Sequence, residues 1–215
     1  YARSRIGSMA VPGSALYTAR ADMTGQMNEL TPSDPLLTPT PALVVGIRRV
    51  VLLEDGKDPR EIRRADATGM IAGGMVPIVC HQPSVARRLG TGPFKARDIL
   101  ELFAFVHPAR PCLPTINGSA DALDLARPEN LEASTRLLSH AALNLFDELN
   151  QMDERDKRAA ATIVAPMARG GWAWATAVQR ALGMGDDISG GNLDIWRRLP
   201  EWSEYAPEPP PGNIE

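Results

Sequence analysis

The sequence has few of the residues that mark secreted or membrane-spanning proteins. Only two of its 215 residues are cysteines, Cys80 and Cys112, and they form no Cys-x-x-Cys pair. We therefore expect reduced core thiols rather than a disulfide or a metal site. No run of about 18 apolar residues is present, which argues against a membrane span. No basic-then-apolar signal peptide opens the chain, so a cytoplasmic protein is expected.

An excess of positive charge is also missing. The formal net charge is −3 and aromatic residues make up 5% of the chain, so the whole sequence lacks the basic character of a strong nucleic-acid binder. Four arginine pairs can still form a local basic patch or, alternatively, be scattered and solvated. They are Arg48-Arg49, Arg63-Arg64, Arg87-Arg88 and Arg197-Arg198.

Composition divides the chain into four parts. Residues 1–40 have no sustained periodicity and many turn-forming residues, which predicts a flexible leader. Within it, Gly7-Ser8-Met9-Ala10 resembles a cloning remnant, and Met27 is the expected native start. The remaining parts are a folded domain at 41–152, a helical extension at 153–198, and a proline-rich acidic linker at 199–215.

Apolar runs and breakers predict a small sheet with helices around it. Residues 42–47, 50–53 and 77–80 are short and apolar, as buried strands require. A turn is predicted at 54–57. Helices are predicted at 60–72, 84–89, 99–106 with Asp98 as the N-cap, 129–151, and 156–182 with an interruption near Pro166 and Gly170-Gly171.

Two features of the later helices predict a core. Leu138, Ala142, Leu145 and Leu149 recur at helical spacing and form one apolar stripe. The Trp172-Ala173-Trp174 segment is interpreted first as a core anchor, and base stacking by these tryptophans is the alternative.

Residues 77–108 contain a pattern of strand, His81-Gln82, helix, and a second helix that opens at Asp98-Ile99-Leu100-Glu101-Leu102. This pattern resembles the second motif and following helix of DnaQ-like (DEDDh) 3′–5′ exonucleases. The resemblance implies an RNase H-like α/β fold, a small mixed sheet flanked by helices. In that family four carboxylates hold two divalent metals and a histidine acts as general base.

The acidic residues of that family are missing here. The resemblance places Gly46 and Arg48 at the first-strand acids and Ala86 at the second-motif acid. The third motif needs an aspartate five residues after a histidine, but those positions hold Ala86, Cys112 and Leu145. In the long helix Leu138 or Leu145 takes the acid's place. The resemblance therefore implies a fold that holds no metal and has no catalytic residue.

A second resemblance extends over most of the chain. It is to the region that precedes the motor domain in bacterial DinG-like ATP-dependent DNA helicases, some of which carry a DnaQ-like exonuclease at this place. No phosphate-binding loop, Asp-Glu-x-His box or iron–sulfur cysteine set is present. The similar stretches are 41–46, 98–106, 108–115, 168–174, 199–202 and 206–212.

Together these observations predict a catalytically inactive, exonuclease-like accessory domain without a cofactor, followed in the parent chain by a helicase motor. Weak binding of single-stranded DNA is expected, without a membrane partner. The candidate DNA-binding residues are Arg48, Arg49, Arg87, Arg88 and His81.

Two other functions remain open. One is a structural spacer or an interaction domain that docks partners. The other is an active metal-dependent exonuclease with displaced acids. Those acids are Asp98, Glu101, Asp121 and Asp147.

Overall fold

A computed structural model describes residues 40–183, which fold into a five-stranded mixed sheet with seven helices. The predicted α/β class is confirmed. Nearly all of the predicted leader and the whole linker lie outside the described residues, as do residues 184–198 of the extension. The strands are β1 (Ala42–Val45), β2 (Val50–Leu53), β3 (Arg60–Ile62), β4 (Ile78–Val79) and β5 (Arg97–Asp98).

Along the chain, two of the helices lie between strands and the other five follow the last strand. Their bounds are α1 (Arg64–Ala72), α2 (Gln82–Leu89), α3 (Ile99–Val106), α4 (Ile116–Ala122), α5 (Leu131–Gln151), α6 (Glu154–Arg169) and α7 (Ala175–Ala181). Within residues 40–183 no helix has both the length and the apolar composition needed to cross a bilayer.

The sheet has the strand order β3-β2-β1-β4-β5. Strands β1, β2 and β3 form an antiparallel meander, with Ala42 opposite Leu53 and Val45 opposite Val50. Strand β4 then pairs parallel to β1, and β5 pairs parallel to β4. The carboxyl ends of β1, β4 and β5 therefore meet at one edge of the sheet.

Alternation along the strands separates two apolar clusters. In β1, Ala42 and Val44 belong to the cluster that contains α3, α5 and α7. Leu43 and Val45 belong to the other cluster, with residues of α1 and α2. Because successive side chains of a strand point to opposite faces, β1 is buried on both sides, and none of its residues is more than 4% exposed.

Helix α5 is the main support of one face of the sheet. Its N-cap Asn130 accepts a hydrogen bond from the backbone N–H of Ala133 at 2.7 Å, which satisfies a free donor of the first turn. The predicted stripe is confirmed, since all four residues are 0% exposed. They are Leu138, Ala142, Leu145 and Leu149.

Several short elements differ from the predictions. Residues 60–62 form strand β3 rather than the start of a helix. Only Ile62 of β3 is buried, so this strand has no apolar alternation from which it could be predicted. Strand β5 and helix α4 were not predicted. The strand has only two residues, and the helix has one large apolar residue, Ile116, among seven, so neither carries a periodic signal. Pro166 lies inside α6, and the chain breaks only at Gly170-Gly171.

The helical extension shares the core of the predicted exonuclease-like domain. Trp174 is 0% exposed and packs edge-on against Phe146 of α5, with ring centroids 5.7 Å apart. The core-anchor interpretation is confirmed for Trp174. Trp172 is only partly buried and packs against Phe105 at 5.2 Å. Helices α6 and α7 are thus part of the folded unit that begins at β1.

Substitution of Leu145 tests the face of α5. Leu145→Asp buries a carboxylate in an apolar cluster and should lower the free energy of unfolding by several kcal/mol. Asn150→Asp, at an exposed position of the same helix, is the matched control and should have little effect. Urea denaturation followed by circular dichroism measures both, and equal midpoints for the two variants would contradict the assignment.

Candidate functional site

The carboxyl edge of the parallel strands brings together the residues that the nuclease resemblance identified. Gly46 follows β1, His81 follows Cys80 after β4, and Asp98 ends β5. In open α/β sheets, ligands bind at this edge because loops and helix starts converge there. The candidate site therefore lies at these three strand ends.

Gly46 and Arg48 do not lie on β1. They belong to the four-residue turn between β1 and β2, where the Gly46 N–H donates to the Arg49 carbonyl at 2.9 Å. A Cβ atom on Gly46 would be 3.0 Å from Leu131 Cδ1 and 3.2 Å from the Arg49 carbonyl oxygen. The space beside Gly46 is thus occupied by Leu131, and an acidic side chain there requires Leu131 to move.

The other two positions that lack acids are also apolar and buried. Ala86 on α2 is 6% exposed, and the two alternatives for the third motif, Leu138 and Leu145 on α5, are 0% exposed. Within residues 40–183 no three histidine, cysteine or carboxylate side chains lie close enough together to hold a metal ion.

Arginines from three elements surround the turn after β1, and we call this group the arginine edge. Arg88 of α2 donates from Nη1 to the Val45 carbonyl at 2.7 Å. Arg64 of α1 donates from Nη2 to the Ile47 carbonyl at 3.1 Å and from Nη1 to the Arg88 carbonyl. The complete group is Arg48, Arg49, Arg64, Arg87 and Arg88.

The charges of the arginine edge are not equally available. Arg49 pairs with Glu61 at 2.6 Å and with Glu132 at 2.5 Å, and these hydrogen bonds raise the pKa of Arg49. The pKa of Glu132 is lowered by its own backbone N–H and by Arg49. Two carboxylates therefore already compensate the Arg49 guanidinium.

Four members of the edge are exposed and have no carboxylate partner among the described residues, namely Arg48, Arg64, Arg87 and Arg88. Arg64 and Arg88 donate to backbone carbonyls, which orient their guanidinium groups. No hydrogen bond or ion pair of Arg48 with residues 40–183 is found, and Arg87 donates only to the Ser84 hydroxyl at 3.3 Å. The arginine edge thus presents net positive charge at the end of β1.

His81 has a structural environment. Its backbone is in the left-handed region with φ 61°, and its Nδ1 lies 2.7 Å from the Ser84 hydroxyl. Its backbone N–H donates to Asp98 Oδ1 at 2.9 Å. These contacts hold the turn between β4 and α2.

Asp98 is the central carboxylate of this edge. It is 5% exposed, and it accepts backbone N–H bonds from His81 at 2.9 Å, Gln82 at 2.6 Å and Leu100 at 3.1 Å. Its own carbonyl accepts the Trp174 indole N–H at 2.7 Å. The carboxylate therefore caps the start of α3, as predicted, and also ties down the turn that opens α2.

The other displaced-acid candidates have different partners. Asp121 accepts two hydrogen bonds from Arg127, both 2.7 Å long, and the side-chain bond with Arg127 lowers its pKa. Glu101 accepts the Trp172 indole N–H at 3.1 Å. Asp147 is exposed on α5. These contacts do not assemble the four candidate acids into one site.

Both cysteines are free, and Cys80 is buried. Burial raises the pKa of Cys80 to about 12, and its sulfur lies 3.7 Å from the Ser119 hydroxyl. Cys80 thus lies in the core, as expected, while Cys112 is only partly buried.

Comparison with protein-family models, curated proteins and solved structures finds no match to this chain.

Replacement of Asp98 distinguishes a structural carboxylate from a metal ligand. Asp98→Ala leaves three backbone N–H groups without their acceptor and should cost about 2–5 kcal/mol of unfolding free energy. Asp98→Asn keeps one oxygen and should cost less. Asp147→Ala, an exposed carboxylate, serves as the control. Unchanged stability of Asp98→Ala in urea denaturation would contradict the capping role.

Proposed function

We propose that this chain is a catalytically silent, exonuclease-like accessory domain of a DinG-like DNA helicase that holds single-stranded DNA. The observation that carries the proposal is the turn after β1. There Leu131 occupies the space of a first-strand acid at Gly46, and arginines surround it. A divalent-metal site needs carboxylate oxygens, whereas a phosphate-holding site needs guanidinium or ammonium groups.

The sheet supports the RNase H-like part of the proposal. An antiparallel meander of β1, β2 and β3, extended by the parallel strands β4 and β5, is the arrangement of RNase H-like folds. Helix α5, to which the resemblance assigns the third motif, packs beside β1. This is fold-level similarity, and it leaves the function to be argued from the site.

The positive charge of the arginine edge supports the binding of single-stranded DNA. Phosphates are bound by arginine because its planar guanidinium donates two hydrogen bonds in a fixed geometry. Arg48 and Arg87 have no carboxylate partner among residues 40–183. Glu61 and Glu132 form ion pairs with Arg49 and with no other arginine of the edge. With a net charge of −3 for the whole chain, the expected binding is weak and independent of base sequence.

Catalytic silence is tested directly with 5′-labelled single-stranded DNA and Mg²⁺ or Mn²⁺. No shortening from the 3′ end is expected, because Gly46, Arg48 and Ala86 stand where the resemblance places acids. The reaction products are resolved by denaturing electrophoresis. Stepwise 3′ shortening that Asp98→Asn abolishes in a folded protein would favour the active exonuclease with displaced acids.

Binding of single-stranded DNA is tested by fluorescence anisotropy at several salt concentrations. Arg48→Glu/Arg87→Glu should strongly weaken binding at low salt. If each arginine contacts one phosphate, the pair should contribute about −1.4 to the slope of log K against log salt concentration. The double variant Arg155→Glu/Arg158→Glu makes the same charge change at exposed positions of α6 and should bind almost as the wild type does.

Two results would contradict DNA holding by the arginine edge. One is the absence of binding at low salt, which would favour a spacer or partner-docking role. The other is equal weakening by the two double variants, which would show that only net charge matters.

A further inference from the structure

A groove opens at the carboxyl ends of β4 and β5, beside Gln82 and Asp98. Its volume is about 540 Å³, within the size range of small-molecule sites. Its walls come from the start of α2, the segment before β5, the start of α3 and the loop between α6 and α7. None of the candidate DNA-binding arginines lines it.

Trp172 provides a flat aromatic wall of the groove. Its indole N–H donates to Glu101 Oε2 at 3.1 Å, and its ring packs on Phe105 at 5.2 Å. These two contacts orient the partly buried indole before any ligand binds. Gly171 next to it has φ 83°, and a Cβ there would meet nothing within 4 Å.

Polar groups of complementary kinds stand in the same groove. The Gln82 side-chain nitrogen is buried and donates to no acceptor among the described residues. Glu101 presents a second carboxylate oxygen, Oε1, that takes no hydrogen bond within residues 40–183. Exposed Lys95 has no carboxylate partner in that part of the chain. The groove thus combines an aromatic face, a neutral donor, an acceptor and a cation.

We propose that this groove binds a single unstacked nucleobase that carries an exocyclic amino group beside a ring nitrogen, as cytosine and adenine do. The base stacks on Trp172, since aromatic side chains are the usual platforms for unpaired bases. Its amino group donates to Glu101, the acceptor that carboxylates provide for cytosine N4. Its ring nitrogen accepts from the Gln82 amide, whose enclosed nitrogen must turn toward the groove to reach the base. Lys95 faces the attached phosphate.

The inference deepens the proposed function and rests on it, because the groove and the arginine edge lie at the two ends of α2. That helix has eight residues and is about 12 Å long. A strand whose phosphates contact Arg48 and Arg87 can continue along α2 and place a base beside Trp172. Phosphate contacts then supply salt-dependent affinity, and the groove supplies preference among bases.

The test compares three labelled oligonucleotides of equal length: oligo(dC), oligo(dT) and an abasic strand. Wild type should bind oligo(dC) most tightly. Trp172→Ala should weaken oligo(dC) binding roughly 5- to 150-fold, the range that one lost base stack gives, and leave abasic binding unchanged. Glu101→Gln should reduce the ratio of oligo(dC) to oligo(dT) affinity, because its amide is a poorer acceptor for the amino group.

Two controls separate binding from folding and from charge. Trp172→Phe keeps an aromatic ring against Phe105 and should retain part of the oligo(dC) affinity, with thermal unfolding followed for every variant. Arg48→Glu/Arg87→Glu should weaken all three strands by the same factor. Equal affinity of wild type for oligo(dC) and the abasic strand would overturn the groove proposal and leave phosphate binding standing.

The groove can also be tested if the proposed function fails. If no oligonucleotide binds at low salt, DNA holding fails, and deoxycytidine monophosphate is titrated while tryptophan fluorescence is recorded. Quenching that is present in wild type and lost in Trp172→Phe supports the groove as a nucleotide site by itself. Identical traces for the two proteins would overturn it.

Discussion

The carboxylate of Asp98 is the interaction on which the carboxyl edge of this sheet depends. One buried side chain accepts N–H groups from the turn after β4 and from the first turn of α3, and the same residue's carbonyl accepts the Trp174 indole N–H. Buried backbone donors must find acceptors. This carboxylate therefore holds the ends of the short strands β4 and β5, which have two residues each. The arginine edge and the Trp172 groove both adjoin elements that Asp98 positions.

The carboxylate of Asp98 is already fully engaged. Its oxygens accept hydrogen bonds from three backbone donors, and a metal ion would have to compete with all of them. Beside Gly46 the obstacle is steric instead, because Leu131 contacts that space. Arginines lie at the end of β1, and backbone carbonyls hold two of them. Under the proposed function, these arginines would attract phosphate.

Long and strongly patterned segments could be predicted from the sequence. The stripe of α5, the Asp98 cap, the Gly90 end of α2 and the strands β1 and β2 carry their own signals, since burial and capping follow local periodicity. Strand β3, strand β5 and helix α4 could not be predicted, because each is held by neighbours rather than by its own pattern. Among the candidate site residues, the sequence showed which were basic, but not that Arg49 is compensated by Glu61 and Glu132 or that Arg88 reaches the Val45 carbonyl.

The sequence by itself determined the α/β class, the core face of α5 and the absence of acids at the positions that the nuclease resemblance assigns. These depend on residue type and on spacing along the chain, which are local properties. Only the tertiary structure decided that Leu131 occupies the space beside Gly46, that Arg64 joins the arginine edge, and that Gln82, Glu101 and Trp172 share one groove. Gln82 and Trp172 line one groove although they are 90 positions apart in the sequence. Packing around a shared core, not periodicity, brings such residues together.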